Sequence, residues 1–174
     1  MGTPTYYLEL VKLIINSVIT WRGAHYYNFD IKNFYLVTLL HRPEYVKVQL
    51  SDIPQEFINE YDLKNCTQYG WVYFKICKVV NGFPQSGILA NNILRKRFGT
   101  ASYYEVETTQ ILWLHKWRPI LFYLIVNDFG IEYVEERHAK HLLFSLEEHY
   151  KVTTEWERNK YTGIDLHWNH QQRT

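Results

Sequence analysis

Apolar residues recur at Leu8, Val11, Ile14, Ile15, Val18 and Ile19. That three-to-four-residue repeat predicts a helix with one buried face, and Gly23 stands where such a helix stops. The period then falls to two at Tyr27, Phe29 and Ile31, at Val46, Val48 and Leu50, and at Val72, Phe74 and Ile76. Three strands are predicted, with a short helix near Pro54 to Tyr61 between the last two. Helical spacing returns at Ile88, Leu89, Ile93 and Leu94 within residues 84–98, where Arg95-Lys96-Arg97 complement the negative end of the helix dipole. Two apolar runs, residues 120–126 and 129–134, are separated only by Asn127 and Asp128. They predict a tight hairpin turning on those two residues, both tolerant of positive φ. Residues 135–149 form an amphipathic helix carrying Ala139, Leu142, Leu143 and Leu146, and a last hairpin is predicted from 152–157 and 161–168. This order points to an α+β fold, with helices packed on one face of an antiparallel sheet.

Composition narrows the class. With 174 residues, 47% hydrophobic and 21% charged, the chain has the makeup of a packed domain and not of a disordered segment. Lys and Arg number 19 against 18 Asp and Glu, so no global field attracts a polyanion, and any nucleic-acid site must be local. The aromatic share of 17% serves either a core or stacking surfaces. Cys66 and Cys77 match neither a disulfide framework nor a zinc ribbon, which favours a reducing compartment. The longest wholly apolar run is too short to span a bilayer, and the N-terminus lacks the pattern of a signal peptide. The expectation is an intracellular protein of cytoplasm or nucleus, with no membrane association.

Candidate chemistry centres on Asp30 at a strand end and on Asn127 and Asp128 at a hairpin tip. Were those strands neighbours, the carboxylates would converge as in sites that hold divalent cations for phosphoryl displacement. Magnesium needs only one or two protein carboxylates beside substrate phosphates. Spacing alone leaves a plainer reading open and favoured, in which Asp128 is a turn residue and Asp30 a strand-end cap.

Three segments in order change that balance. DIKNFYL at Asp30 to Leu36, NGFPQSGILA at Asn81 to Ala90 and IVNDFG at Ile125 to Gly130 resemble the polymerase motifs of copia-type retrotransposon reverse transcriptases. EYVKV, WVYFKICKV and the later KYTGI at Lys160 to Ile164 resemble their counterparts, the last a primer-grip turn. The resemblance implies a palm-like antiparallel sheet plus part of the fingers in one domain over 1–174. Partial fingers would fall at 1–24 and 41–80 and palm at 25–40 and 81–170, with no thumb or ribonuclease H. It implies RNA-directed DNA synthesis with Mg2+, a template-primer and a dNTP. Asp30 and Asp128 become metal-binding carboxylates. The amides near Asn33 and Phe34 face the triphosphate, and Tyr35 packs under the sugar. Gln85 lies beside the nucleotide, and Tyr161 and Gly163 belong to the primer-grip-like turn. The family carries two adjacent aspartates where this chain has Asn127 followed by Asp128. A neutral amide at the first position implies a damaged centre, and the alternative is a non-catalytic palm-fold remnant that binds nucleic acid or a protein partner.

Other motifs lack context. Asp128-Phe129-Gly130 spells the kinase metal motif without a Gly-rich loop or catalytic loop upstream. His138 and His141 lie three apart on a helix with no third ligand placed near them, and read as surface histidines. Trp113, His115 and Trp117 fit an alternating aromatic strand as well as a stacking surface. Tyr69-Gly70-Trp71-Val72-Tyr73-Phe74 weakly resembles the aromatic strand of RNA-recognition modules.

Overall fold

The computed structural model describes residues 6–155, 160–161, 164–169 and 172. These form two compact units, residues 1–34 with 91–174 and residues 35–90.

The first unit is built on a six-stranded antiparallel sheet. Helix α1 (Tyr6–Thr20) leads into β1 (His25–Lys32). After helix α3 (Ser86–Thr100) come β4 (Tyr103–Val106), β5 (Thr109–His115), β6 (Ile120–Ile125) and β7 (Asp128–Tyr133). Helix α4 (Glu136–Glu147) and β8 (Lys151–Glu155) follow, and the strand order is β4-β5-β6-β7-β1-β8. The expected α+β class is therefore found. Helices α3 and α4 share one face of the sheet, while α1 lies against the other.

The sequence explains both layers. On α1, Val11, Ile14 and Val18 are buried at helical spacing and join Ala24, Tyr26, Tyr123 and Leu166 in one cluster. Gly23, at φ +79°, turns the chain out of the helix into β1 at little steric cost. On the opposite face, Phe98 of α3 meets the rings of Tyr103, Trp113, Phe122 and Phe129 at centroid distances of 5.1 to 6.1 Å. Phe29 and Phe129 stack at 4.4 Å across β1 and β7. Each such side chain contributes roughly 1.5–3 kcal/mol on burial, which makes these rings a main source of this layer's stability.

Several expectations are corrected here. The hairpin expected from 152–157 and 161–168 is not found among its described residues: β8 pairs with β1, and β9 (Lys160–Tyr161) pairs with β10 (Ile164–Asp165). Strand β1 needed a second hydrogen-bonding neighbour, and β8 supplies it. Strand β5 holds Trp113 and His115 of the alternating aromatic strand that the sequence allowed, buried with Ile111, whereas its partner β4 was not expected. On α3 the buried face is Ala90, Leu94 and Phe98, whereas Ile88 is 66% exposed. His138 is buried and His141 half-buried, so neither is a surface residue. The Tyr103 hydroxyl lies 2.9 Å from His141 Nδ1, and the His115 and His141 rings are 5.5 Å apart. Trp113 is core and Trp117 is exposed.

The second unit is a two-stranded sheet of β2 (Leu39–Gln49) and β3 (Trp71–Lys78), joined through helix α2 (Gln55–Glu60) and two short 3-10 turns. One face packs on Ile58 and Leu63 through Val72, with Phe74, Leu50 and Ile53 at the margin. Pairing is interrupted between Leu39 and Glu44, where Pro43 has no N–H to give the ladder.

Candidate active site at the β6–β7 hairpin

Asp30 and Asp128 are register partners on the neighbouring antiparallel strands β1 and β7. The next pair along is bonded, Ile31 N–H donating to the Asn127 carbonyl at 3.1 Å. The two aspartates therefore occupy a non-hydrogen-bonded position, the closer of the two spacings, about 4.5 Å between Cα atoms in general. Being direct cross-strand partners, they also point to the same face. The Asn127 side-chain amide donates from Nδ2 to Asp30 Oδ1, so all three residues meet at one edge of the sheet.

The turn differs from expectation. Ile125 pairs with Asp128, which leaves Val126 and Asn127 as its two central residues and makes Asp128 the first residue of β7. Val126 carries the positive φ, +61°. A β-branched residue is poorly suited to that region, and the first central position of such hairpins usually takes glycine. Val126→Gly should therefore stabilise the protein by about 1 kcal/mol. A higher midpoint in urea unfolding is the expected reading, and a lower one would count against strain at the tip.

Burial raises the Asp128 carboxyl above the ordinary carboxylate range, and the charge of Asp30 and a hydrogen bond with it push in the same direction. An acid with a raised folded pKa holds its proton more tightly when folded. Its stabilising contribution is present below the ordinary pKa and is lost as pH rises through the raised value. Wild type should thus lose stability relative to Asp128→Asn from about pH 4 upward. Unfolding midpoints of both proteins at pH 4 and pH 7 test this, and a difference that does not change with pH would contradict it.

On the far side of β1, Thr153 of β8 is the register partner of Asp30. Its Oγ1 is buried without a hydrogen-bond partner among the described residues. Sequence reasoning missed Thr153, because only the β1–β8 pairing brings it to the site. Of the other expected residues, Asn33 is exposed with φ +54° and Phe34 is buried, its ring 6.1 Å from that of Tyr150. Tyr35 and Gln85 belong to the second unit and are half-buried. The Tyr35 carbonyl accepts from Thr38 N–H, and the Gln85 carbonyl accepts from Leu89 N–H as α3 begins. Tyr161 lies in β9, and Gly163 is outside the described residues.

Among the described residues no group of three or more His, Cys, Asp or Glu is placed to hold a metal ion. Asp30 and Asp128 are a pair, a donor set that fits one divalent cation shared with substrate phosphates. Asn127 occupies one Asp30 oxygen with a donor, which works against a second cation. Cys66 and Cys77 are exposed free thiols. No helix among the described residues is long and apolar enough to cross a membrane.

No protein-family model matches the chain, and no curated protein sequence matches it. Among solved structures it is similar to an apo telomerase from Candida tropicalis, truncated from the C-terminal domain, at 15% identity and a TM-score of 0.44. The match covers 93% of this chain, which spans 38% of that one.

Proposed function

We propose that this chain is a reverse-transcriptase-type palm of the copia-type retrotransposon class, descended from an RNA-directed DNA polymerase and impaired by Asn127. The observation that supports the reading is the direct opposition of Asp30 and Asp128 on neighbouring strands. Those residues belong to two of the three ordered polymerase-like motifs, and they are far apart in sequence.

In this reading Asp30 and Asp128 hold a magnesium ion, which when bound supplies Lewis-acid charge to the reacting phosphoryl oxygens. Asp128, which holds its proton more tightly than an ordinary aspartate, would have to give it up to hold a cation. The backbone amides near Asn33 and Phe34 take the triphosphate of a dNTP, and the motifs assign Tyr35 to the sugar, Gln85 to the nucleotide and Tyr161 and Gly163 to the primer. The donation from Asn127 to Asp30 favours a second reading, a non-catalytic palm-fold module, because an amide already satisfies an oxygen that a cation would need.

Primer extension on an RNA template separates the two. Magnesium-dependent synthesis should appear or rise in Asn127→Asp and vanish when Asp30→Ala is added. Equal, nonzero synthesis by wild type, Asn127→Asp and the double variant would refute the assignment, and no synthesis by any of them supports the non-catalytic module.

A further inference from the structure

The outer face of the β2–β3 hairpin has a composition that the packing of its unit does not require. Strand pairing sets Tyr45 opposite Lys75, Lys47 opposite Tyr73 and Gln49 opposite Trp71. Alternation along each strand puts these six residues on one face, opposite Val46, Val48, Val72 and Phe74. An aromatic residue therefore faces a lysine at two successive rungs, Tyr45 with Lys75 and Tyr73 with Lys47, and Trp71 faces Gln49 at the third. Tyr45 is 69% and Tyr73 56% exposed, and Lys47 Nζ sits 4.7 Å from the centre of the Trp71 ring. Neither Lys47 nor Lys75 forms an ion pair among the described residues.

Charge within this unit is sorted as well. Five Lys or Arg balance five Asp or Glu over residues 35–90, yet Asp52, Glu56, Glu60 and Asp62 all lie in the connection between the strands. The hairpin itself carries Arg42, Lys47, Lys75 and Lys78 against Glu44 alone; alternation puts Glu44 and Lys78 on the other face, which leaves Lys47 and Lys75 as the charges of this one. Two exposed tyrosine rings on one flat sheet face offer a surface on which planar groups can stack. Lysines set between them call for a partner that is anionic at the same repeat.

We propose that this face binds single-stranded nucleic acid, with bases stacked on Tyr45 and Tyr73 and phosphates against Lys47 and Lys75. The two tyrosines are diagonal neighbours, about 7–8 Å apart by strand geometry, which suits successive bases of an extended strand. A duplex hides its base faces and cannot use the rings. Protein interfaces also enrich aromatic residues, but they deplete lysine, and here a lysine stands directly across from each exposed tyrosine. The inference stands on the hairpin alone and does not rest on catalysis by the aspartates.

The test is fluorescence anisotropy of the full chain with labelled oligouridylate and oligodeoxythymidylate, without magnesium. Each of Tyr45→Ala and Tyr73→Ala should weaken binding roughly tenfold, and Tyr→Phe at either site should restore it. Lys47→Gln with Lys75→Gln should lower the slope of log K against log salt by about 1.4, roughly 0.7 per lost phosphate contact. The strand bound more tightly, RNA or DNA, identifies the ligand. Because these side chains are exposed, thermal unfolding of the variants should match wild type. Failure of wild type to bind either oligonucleotide at low salt would overturn the proposal, as would unchanged affinity in the Tyr45→Ala, Tyr73→Ala double variant. Neither result bears on primer extension by Asn127→Asp.

Discussion

Asn127→Asp is expected to raise magnesium-dependent primer extension about a thousandfold over wild type while destabilising the metal-free protein. The wild-type amide donates to Asp30 and contributes no charge. Aspartate at the same place would remove that donor and set a third carboxyl beside Asp30 and Asp128, whose own carboxyl is already pushed up by burial and by its neighbour. Without a cation, mutual repulsion and the lost hydrogen bond should cost about 1–3 kcal/mol at neutral pH. With magnesium the sign should reverse, because the added anion would hold the cation more tightly, and the cation would stabilise the negative charge that develops during phosphoryl transfer. Roughly 4 kcal/mol of such stabilisation corresponds to three decades in rate. Two measurements check the argument together: product formed per unit time, and thermal midpoint with and without magnesium. A variant whose midpoint is insensitive to magnesium, with extension no faster than wild type, would show that Asn127 is not what limits this centre.

Gly130→Ala is expected to be the most damaging small substitution in the sheet. Gly130 is the register partner of Tyr123 on β6, and the Tyr123 ring lies over it. A Cβ there would come 2.0 Å from Tyr123 Cζ and 2.1 Å from its hydroxyl oxygen. The ring is fully buried, and its hydroxyl is 2.6 Å from that of Tyr26, so it has no open side into which it can retreat. Displacing it breaks that hydrogen bond and unpacks the layer under α1, at a cost of about 3 kcal/mol or more. The thermal midpoint should fall by roughly 6–12 °C for a chain of this size. Combining the change with Tyr123→Leu should recover part of the loss, since the steric conflict is then gone. A Gly130→Ala protein as stable as wild type would mean that Tyr123 does not cover this position. The same contact explains the Asp128-Phe129-Gly130 string without kinase chemistry: the aspartate opens β7, Phe129 fills the core and Gly130 makes room for a tyrosine.

Much of this could be read from residue order because it depended on local periodicity. Helix α1 declared itself through Val11, Ile14 and Val18, and α4 through Ala139, Leu142 and Leu146. The alternation of Tyr27, Phe29 and Ile31 likewise marked β1. The candidate aspartates were also visible, since an acid at a strand end and another at a hairpin tip are local features. Errors arose where a local pattern had competing solutions. Val126 was assigned to a strand because it is apolar and β-branched, but the register of β6 with β7 forces it into the turn. His138 and His141 read as solvated on a polar helix face, but Tyr103 and His115 pack on His141, and Arg118 and Glu135 lie beside the buried His138. Residues 151–155 offered a short strand with no indication of its partner, and Thr153 stayed hidden with it.

The sequence by itself determined most of the helices and strands, which side chains are available for chemistry, and that an amide stands before Asp128. Periodicity of polar and apolar residues acts over a few positions, and such properties need no distant neighbour. Only the tertiary structure decided that β1 lies between β7 and β8, and hence that Asp30, Asp128, Asn127 and Thr153 share one edge. It likewise decided that Tyr45, Lys47, Tyr73 and Lys75 share one exposed face. Strand pairing is long-range: one-residue differences in register send a side chain to the opposite face, and no local pattern carries that information.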